Sequence, residues 1–140
     1  MKRSRVRRQS PKARVWKELD ALARHLVVVL RDRNTCQRCG NRWPVKQIQW
    51  AHILNRQAKS IQWTPWASLA LCSGCHMWFD ADRTRGRAWW AEKFPERAQR
   101  LAIWRATRSR PVSLGMEREW LRQEIERYQG GTGHVGPTGR

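Results

Sequence analysis

Apolar residues along this chain follow two periods, and the change from one to the other divides it. Val15, Leu19, Leu22, Leu26 and Leu30 recur every three or four residues, with Trp16 and Ala23 beside them. That spacing draws one stripe along an amphipathic helix of about five turns. Ser10-Pro11 gives its start, a capping hydroxyl followed by proline at the first helical position. Val27-Val28-Val29 weakens helical propensity, so the last turn is expected to be buried or irregular. His25, beside the stripe, reads as a packing or surface histidine.

After a polar connector from Arg31 to Asn34 the period drops to two. Val45 to Leu54 reads as a strand, with Ile48, Trp50, His52 and Leu54 on one side and Gln47, Gln49 and Ala51 on the other. Asn55 to Trp66 is a loop, and Leu69-Ala70-Leu71 is a second short strand that pairs back on the first. A helix is expected from Gly74 to about Ala81, and beyond Asp82 the chain turns helical with short breaks. Trp89, Trp90 and Phe94 mark one helix over Arg87 to Phe94, and Pro95-Glu96 opens the next, with Ala98, Leu101, Ile103 and Trp104. Ser113 caps a last helix whose stripe is Met116, Trp120, Leu121, Ile125 and Tyr128.

The fold class that follows is α+β and mostly helical: a hairpin crossed by one helix, flanked by N-terminal and C-terminal helices. Residues 11–129 form a single domain with its core at 31–82 and a helical extension at 83–129. Residues 1–10 are expected to be a disordered basic arm, and 130–140 a disordered Gly- and Thr-rich tail.

Charge narrows the partners. A net +18, from 29 Lys and Arg against 11 Asp and Glu, makes the chain repel itself unless it meets a polyanion, and DNA is the expected one. No apolar run approaches the roughly 18 residues that span a bilayer. Leu26 to Leu30 is too short for the apolar segment of an export signal, so no membrane partner and a cytoplasmic location are expected.

All four cysteines fall in two C-x2-C pairs, Cys36/Cys39 and Cys72/Cys75, with thirty-two residues between the pairs. Each pair can grip one metal ion from a tight turn, and two pairs complete a closed tetrahedral site, so structural Zn²⁺ is favoured over disulfides. Gly40, directly after Cys39, supplies the positive φ such a turn needs. Four thiolates leave no open coordination position, so this metal holds the fold. A hairpin and one helix bury little apolar area, and the metal must contribute heavily to folding.

Between and after these pairs the chain reads R31-D-R-N-T-C36-Q-R-C39-G40, A51-H52-I53-L-N55-R56, W63-T-P-W-A-S-L69-A-L71-C72 and C72-S-G-C75-H76-M-W-F-D80. In this order the segments resemble the HNH endonuclease family, in its zinc-stapled phage-type form. The resemblance covers about fifty residues and implies a ββα-metal unit that hydrolyses phosphodiester bonds with one divalent ion.

By that resemblance His52 is the general base that takes a proton from water, and His76 is a ligand of a catalytic Mg²⁺, Mn²⁺ or other divalent ion. Asp80, four residues on, shares a helical face with His76 and joins it on the ion. Arg56 matches a recurrent arginine that can hold the scissile phosphate, and Arg56, Lys59 and Trp63 are the loop residues expected at DNA. Trp16, Trp104 and Trp120 sit at apolar helical positions and read as core. The implied role is a phage-type endonuclease or nickase working with DNA packaging, recombination or junction-processing proteins.

Two positions depart from the family. Ala51 stands where an acidic residue often precedes the first histidine, and Ala67 where asparagine is usual. These support the alternative, a zinc-stabilised DNA-binding or adaptor protein with a degenerate, inactive site.

Overall fold

The computed structural model describes residues 9–55, 61–107 and 113–131. Most of the basic arm, the loop residues Arg56 and Lys59, and the tail from 132 lie outside the described residues. About 65% of the described residues are helical, around one two-stranded antiparallel sheet, which fits the α+β class.

Helix α1 (Pro11–Arg24) begins as the sequence requires: the Ser10 hydroxyl accepts the Ala13 N–H at 3.2 Å and Pro11 takes the first helical position. It does not run on as an α-helix. His25–Arg31 is π-helical, and the Asp32 N–H donates to the Val27 carbonyl, five residues back, at 2.9 Å. The wider turn lets three successive apolar residues all be buried. Leu26 joins a cluster with Leu19, Ala23, Trp63 and Leu121, whereas Val27 and Val28 enter the main core around the sheet.

Strand β1 (Ile48–His52) pairs with β2 (Ser68–Cys72), so that Ile48 faces Cys72 and His52 faces Ser68. The expected strand over Val45 to Leu54 is longer than the observed one. Residues 45–47 form a turn in which the Gln47 N–H reaches the Pro44 carbonyl at 2.8 Å. Both α2 (Ser73–Ala81) and the π-helical segment pack on the sheet. Every β2 residue is therefore buried, and so are Ala51 and Ile53, which simple alternation does not predict.

Helix α3 (Arg83–Lys93) starts four residues earlier than expected because Asp82 caps it, its carboxylate accepting the Arg85 N–H at 3.1 Å. Gly86 lets α3 approach α2, where the Phe79 ring lies directly against it. Helices α4 (Pro95–Thr107) and α5 (Leu114–Gln129) begin at the expected proline and serine. Leu121 of α5 is buried against α1, and Arg118 and Arg122 both bind Glu18, at 3.4 and 2.6 Å. Met116, placed on the apolar stripe from its spacing, is instead 65% exposed.

Candidate functional site

The Cys36–Cys39 turn is closed by its own backbone. The Gly40 N–H reaches the Cys36 carbonyl at 2.8 Å, the Cys36 N–H reaches that of Asn41 at 2.9 Å, and Gly40 has φ +76° as its position required. Cys72 ends β2 and caps α2, and Cys75 lies in the first turn of that helix. The hairpin thus delivers the second pair to the first. All four sulfurs lie within 4.8 Å of one another, with Cys39 and Cys72 at 4.0 Å and no disulfide. A tetrahedron with metal–sulfur bonds of about 2.3 Å has edges of roughly 3.8 Å. The cluster is therefore sized to hold one metal ion such as zinc, with no coordination position left over.

Thiol ionisation is uneven across this cluster. Burial pushes the Cys75 thiol up to about 12, reinforced by the neighbouring sulfurs of Cys72 and Cys36 against the lowering effect of Arg38. Burial also acts upward on Cys36, but backbone N–H groups of Cys39, Cys72 and Arg38 outweigh it and bring that thiol down to about 7.

A second group lies where the end of β1 meets α2. A cleft of about 210 Å³ is lined by Trp50, His52, Asn55, His76, Asp80 and Arg83. The His52 Nε2 is 3.1 Å from the Gln62 carbonyl, which can only accept, so Nε2 carries the hydrogen. When the ring is neutral its lone pair is then on Nδ1. The Trp50 ring lies 4.2 Å from the imidazole, centroid to centroid, and restricts its tilt.

His76 is held in a complementary way. Its Nδ1 is 2.6 Å from the Gln49 side-chain oxygen, and its Nε2 is 3.3 Å from Asp80 Oδ2. With Nδ1 donating to Gln49, a neutral ring turns the Nε2 lone pair toward a carboxylate. Such a pair closes over a proton or over a cation. A ligand histidine whose second nitrogen is anchored by an oxygen acceptor is the usual pattern at metals. Arg83 completes the cleft: its guanidinium binds Asp80 Oδ1 and donates to the His52 and Ile53 carbonyls at 3.2 and 3.1 Å.

His52, His76 and Asp80 therefore meet in one cleft, as the sequence reading required of them. Among the described residues, however, the four cysteines are the only cluster of three or more metal-ligating side chains, so His76 and Asp80 offer two ligands and His52 does not join them. Trp63 does not belong at a DNA surface. It is 2% exposed, donates its indole N–H to Asp20 at 2.9 Å and meets Trp16 edge-on at 5.2 Å. Arg56 and Lys59 lie outside the described residues.

Gln49 and Arg83 are cleft residues the sequence reading missed. Arg83 follows Asp80 by one helical spacing, a signal that was present; Gln49 meets His76 only through the register of the fold. Ala51 is 1% exposed in the main core, so its side chain contributes nothing to the cleft. No helix among the described residues is long and apolar enough to cross a membrane. Comparison with family models, curated proteins and solved structures finds no match to this chain.

Proposed function

We propose that the chain is a metal-dependent DNA endonuclease or nickase of the HNH type, its ββα unit stapled by structural zinc at Cys36, Cys39, Cys72 and Cys75. The observation that carries the reading is the convergence of two oppositely arranged histidines on one cleft. His52 carries its hydrogen on the nitrogen bound to Gln62, so in its neutral form Nδ1 is the atom that accepts a proton from an attacking water. His76 has its Nδ1 anchored by Gln49 and turns Nε2 to Asp80, which suits it to a cation. A divalent ion held by His76 and Asp80 would stabilise charge on the phosphate and on the departing 3′ oxygen.

Arg83 has a defined part in this reading. It neutralises Asp80 and ties the end of β1, through the His52 and Ile53 carbonyls, to the helix that carries His76.

The same arginine supports a second reading. A guanidinium already seated on Asp80 competes with a divalent ion for that carboxylate, and a site with this arrangement can bind DNA without cutting it. Supercoiled plasmid with Mg²⁺ or Mn²⁺ separates the two. Nicking that disappears in His52→Ala and on chelation is the expected result. Absence of nicking with every divalent ion, while DNA binding is intact, would leave the adaptor reading; nicking that persists in His52→Ala would remove His52 from the chemistry.

A further inference from the structure

The opposite side of α2 carries a separate group of charges. Trp78 lies two residues from both His76 and Asp80, which turns it away from the cleft. The Arg38 guanidinium sits 3.7 Å from its ring centre and that of Arg85 4.5 Å, so one indole accepts two like charges. Trp89 meets Trp78 edge-on at 5.9 Å, and Lys93 lies 5.7 Å over Trp89. A concavity of about 560 Å³ opens between Arg38, Trp78, Arg85 and Trp89, with Glu92 as the carboxylate on its wall. Among the described residues neither Arg38 nor Arg85 forms an ion pair with a carboxylate.

The geometry points to a phosphate-binding shelf at Arg38 and Arg85, fitted to the backbone of duplex DNA and distinct from the cleft. Two guanidinium groups on one ring repel each other, and a phosphodiester bridging them offsets that repulsion with paired N–H donors. Cations already lie over Trp78 and Trp89, which favours charge over base stacking as the mode of contact. Cations held over Trp78 and Trp89 also suit a polyanion better than apolar insertion into a lipid surface.

Arg38 also ties the shelf to the cysteine cluster, its Nη1 lying 3.6 Å from Cys75 Sγ. The turn that orders the sulfurs thus orders the cation above Trp78.

The test uses the full chain, metal-loaded, and the salt dependence of its affinity for a labelled DNA duplex, read by fluorescence anisotropy between about 50 and 200 mM KCl. Arg85→Gln, which touches no sulfur, should reduce the log–log salt slope by about 1, and Arg38→Gln with Arg85→Gln by about 2. Arg105→Gln, on the exposed last turn of α4, should leave the slope as it is. Unchanged slopes in the Arg85 and double variants would overturn the assignment, as would an equal loss in Arg105→Gln. Loss of binding to phosphatidylserine vesicles with DNA affinity intact would assign the shelf to membranes and overturn it too. Cleavage is not part of the readout, so failure here leaves the nuclease reading standing, and an inactive cleft leaves the shelf standing.

Discussion

Replacing Asp32 by asparagine tests what holds β2 in place. Asp32 is 7% exposed and its carboxylate is fully engaged: Arg31 Nε at 2.7 Å on Oδ1, and Arg31 Nη2 at 2.9 Å with the Ala70 N–H at 2.8 Å on Oδ2. Arg31 itself donates to the Pro65 and Ser68 carbonyls at 2.6 and 2.9 Å. One carboxylate therefore joins the segment before Cys36 to the middle of the strand that ends at Cys72. Asparagine keeps the shape. It removes the charge, however, and whichever way the amide turns, an NH₂ group meets an N–H donor. Breaking a buried pair from one side costs about 3–5 kcal/mol. Arg31 keeps two carbonyl acceptors, so the lower end, about 3 kcal/mol, is expected. Asp82→Asn is the control: that carboxylate is exposed and caps α3, where asparagine serves about as well, so the change should stay within about 0.5 kcal/mol. Urea unfolding followed by tryptophan fluorescence, with unchanged m-values, measures both. A loss below about 1 kcal/mol in Asp32→Asn, or one equal to that of Asp82→Asn, would refute the argument that this buried pair fixes the strand.

Two further outcomes follow from the packing and from the sulfurs. In Gly86→Ala the new Cβ would lie 2.6 Å from Phe79 Cδ2 and 2.9 Å from Cε2, against a fully buried ring, so overpacking should exceed alanine's helical advantage. A net loss on the order of 1–2 kcal/mol is expected in thermal unfolding, and a stabilised variant would contradict the close approach. For the cysteine cluster, Cys75 is held up to about 12 by burial and Cys36 lies at about 7, so at neutral pH the metal-free cluster carries protons that binding must release. Zinc affinity, measured by competition with a chromophoric chelator, should therefore rise as pH goes from about 6 to 8, and a flat profile would argue that thiolates are not the ligands.

Local spacing made part of the structure legible before any coordinates. Both C-x2-C pairs, the positive φ at Gly40, the caps at Ser10 and Ser113 and the shared face of His76 and Asp80 depend on residues at most four apart. Contacts set by the register of distant segments were not legible. Gln49 meets His76 across 27 positions, and Trp63 finds Asp20 across 43, which takes a residue of a basic loop into the core. Alternation overran the strand because Leu54 continues the side of Ile48, Trp50 and His52, whereas pairing stops at Ile48 and His52. The π-helical segment follows from a valine run that propensity flags as weak, yet its burial on the sheet is what selects the wider turn. Asp82, placed from its sequence just before the helical region, is that region's first cap.

The cysteine cluster and the cleft are mechanically one unit, because both are built on the same two elements. Cys72 and Cys75 bracket the start of α2, and His76 is the next residue, with Asp80 one turn further. Whatever fixes the sulfurs fixes the rotation of that helix, and with it the direction in which His76 and Asp80 point. On the sheet, Ile48 faces Cys72 at the cluster end and His52 faces Ser68 at the cleft end. Four residue steps of about 3.3 Å separate the two ends, a span short enough that a hairpin paired along its whole length transmits little slack. Arg83 closes the circuit from the other side by joining Asp80 to the His52 and Ile53 carbonyls. A hairpin of two five-residue strands is marginal alone, so this arrangement puts its stability where the geometry is needed. One end is pinned by sulfur, the other by a guanidinium, and the two imidazoles meet between them.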